Sequence, residues 1–236
     1  MQLERVQKFI AESGYCSRRK AEEFISRKLV KVNGKTIKLG DKCYESDKIT
    51  VNNKLLHFDN KEYMYIVMNK AKGYVCSKSD PHNKDTVFDK IRREDRKSNL
   101  NYVGRLDKPT TGLLILTNDG RFANKIIHPS SKVEKTYEVD TSKELTEFNI
   151  DKLQKGIKLD GVKLNECKIR KIGYNKYEVI ISEGKKRQIR RMIEYIGNEV
   201  RELHRTKIGK LDIKKLKINN GQYKKFSKEF LEKNIW

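Results

Sequence analysis

The sequence is short of most features that mark the common enzyme classes. Only 3 of its 236 residues are proline and 1 is tryptophan. The 4 cysteines, Cys16, Cys43, Cys76 and Cys167, form no C-x-x-C pair, and the 4 histidines stand at no metal-ligand spacing, so no metal site is expected. Cysteines scattered in this way read as reduced thiols of a cytoplasmic protein. No apolar run approaches the length of a membrane span, and Met1-Gln2-Leu3-Glu4-Arg5 lacks the apolar core of a secretory leader. There is no G-x-x-x-x-G-K-S/T phosphate loop, no G-x-G-x-x-G turn after a strand and no H-x-E with C-x-x-C set. Those absences argue against nucleotide hydrolysis, dinucleotide redox chemistry and zinc-dependent deamination. A methyltransferase is disfavoured for the same reason, since it needs a Gly-rich turn for its methyl donor.

Acidic charge is also scarce. Asp and Glu total 32 against 54 for Lys and Arg, a formal net charge of +22. Such a charge says little about fold but draws a molecule to polyanions, nucleic acid first and anionic membrane second. No basic helix has the broad exposed apolar face that membrane binding needs. Of the basic residues 39 are lysine and 15 arginine, so clustered arginine is the more specific signal. Hydrophobic residues make up 36%, enough for a core beneath a highly charged surface. No internal repeat or low-complexity linker interrupts the chain.

Residues 1–58 read as a self-contained unit. Val6, Phe9 and Ile10 recur at helical spacing, and Ser13-Gly14 ends that helix. Ser17 is placed to cap a second helix whose apolar face includes Ala21, Phe24 and Ile25, with Arg18, Arg19 and Lys20 in its first turn. Leu29 to Val32, Asn33-Gly34 and Lys35 to Ile37 then give a hairpin, because both turn positions tolerate positive φ. Ile49 to Val51 supplies a further strand.

From residue 59 to 236 strands and helices are intermixed without regular alternation, which favours an α+β domain with a mixed or antiparallel sheet. Strands are expected over Tyr63 to Lys70, Leu113 to Thr117, Lys135 to Val139 and Lys176 to Ser182. Helices are expected near Val87 to Ile91, after Asn118-Asp119-Gly120 with Phe122, Ala123, Ile126 and Ile127 inward, over Leu145 to Gly156, and over Arg187 to Ile196. Residues 80–101 are otherwise polar loop.

The densest chemistry lies in Gly104-Arg105-Leu106-Asp107-Lys108-Pro109-Thr110-Thr111-Gly112-Leu113-Leu114. Gly and Pro bracket an Arg and an Asp, and a buried strand follows at once. A carboxylate on the lip of a rigid strand is well placed to act on a ligand; a structural Arg–Asp pair would have the same sequence. A second basic cluster is Lys185-Lys186-Arg187-Gln188-Ile189-Arg190-Arg191-Met192. Ile189, Met192, Ile193 and Ile196 form one helical stripe. Arg187 and Arg191 fall opposite it, and Arg190 flanks it, close enough to the body of the protein to pair with Asp107.

These segments resemble known families. Arg5-Val6-x-Lys8-Phe9-Ile10, Ser13-Gly14-Tyr15-Cys16-Ser17-Arg18-Arg19-x-Ala21 and Val30-x-Val32-Asn33-Gly34 resemble the S4 RNA-binding domain, in which the second helix and hairpin present basic side chains to RNA. The stretch from Gly104 to Leu114 resembles the G-R-L-D-x-x-T/S-x-G-L-L signature of the RsuA family of ribosomal pseudouridine synthases. Asn69-Lys70-Ala71-Lys72-Gly73 resembles a further family motif, with Ala71 where proline is usual. Asn124-Lys125-Ile126, Cys167-Lys168-Ile169 and the 187–192 cluster look most like the large-subunit RluF type.

The resemblance implies a cofactor-independent isomerase acting on ribosomal RNA, 23S before 16S, as a monomer. It places the catalytic aspartate at Asp107 and a tyrosine that stacks on the target uracil and helps remove the C5 proton at Tyr137. It also puts a basic partner of the aspartate at Arg190, an apolar wall residue at Leu203, and a residue that displaces or replaces the flipped base at Arg105. Lys185, Lys186, Arg187 and Arg191 are left to meet phosphates. For Tyr137 and Leu203 ordinary packing roles remain open. The reading from a different class is a non-catalytic RNA-binding or ribosome-assembly factor that kept the fold.

Overall fold

The computed structural model describes residues 3–58, 62–78, 80, 82–83 and 85–236. The chain forms two compact units, Met1–Tyr63 and Met64–Trp236. The boundary expected after residue 58 abuts residues 59–61, which lie outside the described residues, as do 81 and 84 in the polar stretch.

The first unit follows its sequence pattern. Helix α1 (Val6–Glu12) and helix α2 (Arg18–Ser26) bury Val6, Phe9, Ile10, Ala21 and Ile25 in one core. The Ser17 hydroxyl caps α2 by accepting from the Lys20 amide at 3.2 Å, leaving Arg18, Arg19 and Lys20 exposed on the first turn. Strands β1 (Val30–Val32), β2 (Lys35–Thr36), β3 (Ile49–Val51) and β4 (Lys54–Leu55) form an antiparallel sheet in the order β2-β1-β3-β4. Asn33 at φ +50° and Gly34 at φ +81° make the β1–β2 turn, the left-handed pair that lets two twisted strands meet through two residues.

The second unit is a nine-stranded sheet with helices on both faces. Its main strands are β5 (Tyr65–Lys70), β6 (Asn101–Val103), β7 (Thr111–Thr117), β8 (Lys135–Thr141), β11 (Lys168–Gly173), β12 (Lys176–Ile181), β13 (Val200–Ile208) and β14 (Tyr223–Phe226). They run in the order β11-β12-β8-β13-β7-β5-β14, with β6 beside β7. A separate small hairpin is β9 (Lys158–Leu159) with β10 (Val162–Lys163). The apolar run of β7 is continuous because it feeds two cores. Leu114 and Leu116 join one with α4 (Glu147–Gln154) and α5 (Gln188–Tyr195); Leu113 and Ile115 join the other with α3 (Gly120–Ile127) and α6 (Lys228–Ile235).

Pairing of β7 with β13 is parallel and touches only at Thr111–His204 and Gly112–Arg205. There the backbones press together. Gly112 has φ +106°, and a Cβ on it would lie 2.3 Å from the Arg205 carbonyl oxygen, so this position requires glycine. It fixes where β7 leaves the loop that carries Asp107.

Several details depart from the sequence expectation. Ile127 is exposed rather than inward, because α3 stops there and the chain turns out at His128. The expected helix from Leu145 begins at Glu147, where Thr146 caps it by accepting from the Asn149 amide. Arg187 precedes α5 as its N-cap, with φ +51°, instead of lying within the helix. Among the described residues no helix is long and apolar enough to cross a membrane.

Candidate active site

A cleft of about 280 Å³ opens at the end of β7 where the 104–110 loop, β8, β12, β13 and the start of α5 converge. Its lining includes Arg105, Asp107, Thr110, Tyr137, Lys185, Lys186, Arg187 and Leu203. Asp107 is the one carboxylate in that lining among the described residues. The expected aspartate, aromatic ring, apolar wall and basic rim therefore share one cavity.

Asp107 sits half-exposed between Gly104, at φ +69°, and β7. Its backbone carbonyl accepts from the Thr110 amide at 3.0 Å, which closes the loop into a turn. Its carboxylate has no ion pair or hydrogen bond among the described residues. An ionisable oxygen held at a cleft wall without a protein partner is available to a ligand.

Tyr137 owes its aim to strand geometry. The register of β8 against β13 shifts between Thr136 and Tyr137, and a bulge of this kind twists a strand and redirects the side chain that follows. Leu203 is 5% exposed on the facing strand and closes the apolar side of the cleft. Gln188 shapes the opposite wall. Its side chain accepts from the Lys185 amide at 3.0 Å and donates to Glu183 at 2.8 Å, tying residues 183–188 into a closed turn. That turn presents Lys185, Lys186 and Arg187 to the cleft.

Arg190 requires a correction. It lies on the flank of α5 and is 8% exposed, but it forms no ion pair with Asp107 within 4.0 Å among the described residues. Its Nη1 donates to the Val200 carbonyl at 3.0 Å, while Nε and Nη2 have no protein partner. The guanidinium is held by the backbone of β13 and is not among the cleft's lining residues, although Gln188 and Ile189 just before it are. Burial, and next the nearby Arg187, lower its pKa, and the charge of Asp107 works the other way. Arg191 pairs with Asp160 at 2.5 Å, and Lys185 Nζ donates to the Lys163 carbonyl at 2.9 Å, so both also brace the β9–β10 hairpin.

Sequence reasoning gave no role to Lys70, which proves central. Lys70 is fully buried, and its ammonium donates to the carbonyls of Ala71, Asp107, Lys108 and Thr110 at 3.1, 3.2, 3.3 and 2.7 Å. The loop bearing Asp107 is wound around this one cation. Burial pushes the Lys70 pKa down to about 8, with Cys76 and Asp107 opposing the shift and Arg205 adding to it. Arg205 is 4% exposed and donates from Nε to the Leu113 carbonyl at 2.7 Å. It supplies a bond across the splay between β13 and β7, where backbone pairing stops. Cys76 completes the support by accepting from the Leu106 amide at 3.4 Å. The Thr110 hydroxyl is buried without a partner beside the same cleft.

A family model described as RNA pseudouridylate synthase matches residues 64–195, and an S4 domain model matches residues 4–49. Ribosomal large subunit pseudouridine synthase B of Bacillus subtilis (strain 168) is 38% identical over 227 residues, covering 93% of this chain and 91% of that protein. Dual-specificity RNA pseudouridine synthase RluF of Escherichia coli (strain K12) is 36% identical, covering 86% of this chain and 69% of that one. A crystal structure of a pseudouridylate synthase superposes with a TM-score of 0.71 at 31% identity, over 98% of this chain and 99% of that one. The chain belongs to the RNA pseudouridylate synthase family. Within it, an S4 domain ahead of an α+β synthase domain is the arrangement of the RsuA-type enzymes, and the chain is of the RluF type.

Proposed function

We propose that this protein converts one or two neighbouring uridines of 23S ribosomal RNA, in a stem-loop near the peptidyl transferase centre, to pseudouridine. Residues 1–58 bind RNA through Arg18, Arg19 and Lys20, and residues 59–236 carry out the reaction as a cytoplasmic monomer without a cofactor. The observation that carries this reading is the partner-free carboxylate of Asp107 in one cleft with Tyr137 and Leu203, beneath a basic rim. Large-subunit action is what the names of the relatives state for those proteins.

The reaction breaks the N1–C1′ bond, turns the uracil and joins C5 to C1′. It needs no redox change and no group donor. A base must first leave its stack, costing a few kcal/mol in a duplex and less in a loop. Phosphate contacts by Lys185, Lys186, Arg187 and Arg191 offset part of that cost, and Arg105 occupies or defends the vacated space. Asp107 then acts on the nucleoside, either as a nucleophile or by removing a sugar proton. Tyr137 stacks on the ring and assists loss of the C5 proton, while Leu203 packs against the base.

Mapping pseudouridines in ribosomal RNA from a deletion strain tests the assignment. Loss at one or two 23S uridines, restored by the wild-type gene and not by Asp107→Asn, is the expected result. Retention of every 23S site with loss in 16S RNA would move the substrate to the small subunit. No loss in either RNA would leave a binding or assembly factor.

A further inference from the structure

The cleft continues onto the surface along two helices. Arg187, Arg191 and Tyr195 are spaced by four residues, so they align along the outward side of α5, away from buried Ile189, Met192 and Ile193. Arg187 lines the cleft at one end, and its guanidinium reaches along the helix to Glu194 at 3.3 Å. At the other end the Tyr195 ring is 47% exposed. The Lys152 ammonium lies 4.8 Å above that ring and links α5 to α4. Phe148 stands one turn before Lys152 on the exposed side of α4 and is 73% exposed. Neither ring belongs to a core; α4 buries Leu153 and packs Ile150 instead.

We propose that this row is a binding track for single-stranded RNA adjoining the target uridine, with bases stacked on Tyr195 and Phe148 and phosphates on Arg187, Arg191 and Lys152. The inference rests on the function proposed above and extends its substrate footprint beyond the cleft. Cations alternating with exposed rings are what unpaired RNA requires, since every base has a face to stack and every linkage a charge. Aromatic rings and arginines also mark protein interfaces, so the choice of occupant rests on charge and position. The +22 net charge and the direct continuity with the cleft favour RNA. Glu194 and Asp160 now hold the two arginines, but pairs this exposed are weak and exchange readily for phosphate.

The test compares a 23S stem-loop carrying the mapped uridine and unpaired tails on both sides with the same stem-loop trimmed of its tails. Full-length wild type should bind the tailed RNA roughly tenfold or more tightly than the trimmed one. Phe148→Ala/Tyr195→Ala should lose that gain while modifying saturating trimmed RNA at the wild-type rate. Both positions are exposed, and an unchanged melting temperature checks the fold. A tail gain that survives in the variant overturns the track, as does an equal loss of affinity for both RNAs. Weakening seen only with protein-containing ribosomal particles would assign the row to a protein partner and also overturn it. If wild type modifies neither RNA, the proposed function fails, a result distinct from a synthase indifferent to tails.

Discussion

Two sets of cations surround the cleft. Lys70, Arg190 and Arg205 are each less than a tenth exposed, and each is held by backbone carbonyls: four for Lys70, Val200 for Arg190 and Leu113 for Arg205. Arg105, Lys185, Lys186 and Arg187 stand in solvent at the rim. Desolvating a cation is expensive unless its donors are met; Lys70 is fully met by carbonyls, whereas among the described residues Arg190 keeps Nε and Nη2 and Arg205 keeps Nη2 without a protein partner. The rim set is held more loosely: Lys185 bonds the Lys163 carbonyl and pairs with Glu183, and Arg187 pairs with Glu194, contacts exposed enough to exchange for phosphate. Lys70 therefore fixes the course of the Asp107 loop, and under the proposed function the exposed set meets the arriving RNA.

Removing one cation from each set separates these roles. Lys70→Met leaves four carbonyls without their common donor, so the Asp107 loop relaxes. We expect kcat to fall about a hundredfold, the scale of an ångström-level misplacement, with KM nearly unchanged. Its melting temperature should move by only roughly a few degrees, because relief of the buried charge opposes the lost bonds. A rise in KM at constant kcat would place Lys70 with the rim set.

The alkaline limb sharpens the same contrast. Burial lowers the Lys70 pKa from 10.5 to about 8. Below pH 8 the group is charged in both folded and unfolded chains and adds no pH dependence. Between about pH 8 and 10.5 the unfolded chain holds the extra proton, so this group's contribution to stability rises with pH. Activity should do the opposite and decline as pH passes about 8, because a neutral amine holds the loop less well. Lys135, half-buried and also lowered to about 8 by desolvation, adds to stability in the same direction. A single-turnover rate profile set beside a stability profile checks this divergence; activity and stability falling together above pH 8 would refute it.

At the rim the effect is smaller and of a different kind. Lys185→Ala/Lys186→Ala should raise KM by about tenfold at low salt, leave kcat intact and reduce the salt slope of log Kd by about 1.4, or roughly 0.7 for each lost single-strand phosphate contact. A change in kcat with an unchanged salt slope would show these lysines acting on the cleft's shape.

The same contrast decides what the sequence discloses. The rim is legible because its residues are contiguous, and Lys185-Lys186-Arg187 reads as a phosphate contact at sight. So does the Asp107 loop, where Gly104, Pro109 and Gly112 announce an irregular lip ahead of a buried strand. Lys70 falls in the recognisable stretch Asn69 to Gly73, but nothing local says what its ammonium does, and Arg205 carries no local sign of a role. Lys70 ends β5 and Arg205 lies within β13, and the purpose of each appears only when the strands meet across the sheet. For Arg190 helical spacing rightly placed it near the protein body. The Val200 carbonyl that captures it comes from β13, which the periodicity of α5 cannot reveal. The Asn33-Gly34 hairpin and the Ser17 cap were readable because turn and cap chemistry act within a few residues. The boundaries of α4 and α5 shifted by one or two residues, as caps there depend on the folded surroundings.

Under the proposed function one carboxylate, Asp107, does chemistry on a uridine delivered by the basic surface. Pseudouridine formation on 23S ribosomal RNA lacking the modification, measured for wild type and Asp107→Asn with RNA affinity determined in parallel, tests it most directly. The account predicts stoichiometric conversion by wild type and a loss of at least about a thousandfold in the variant, with Kd unchanged within roughly threefold. Equal conversion by both proteins would contradict it.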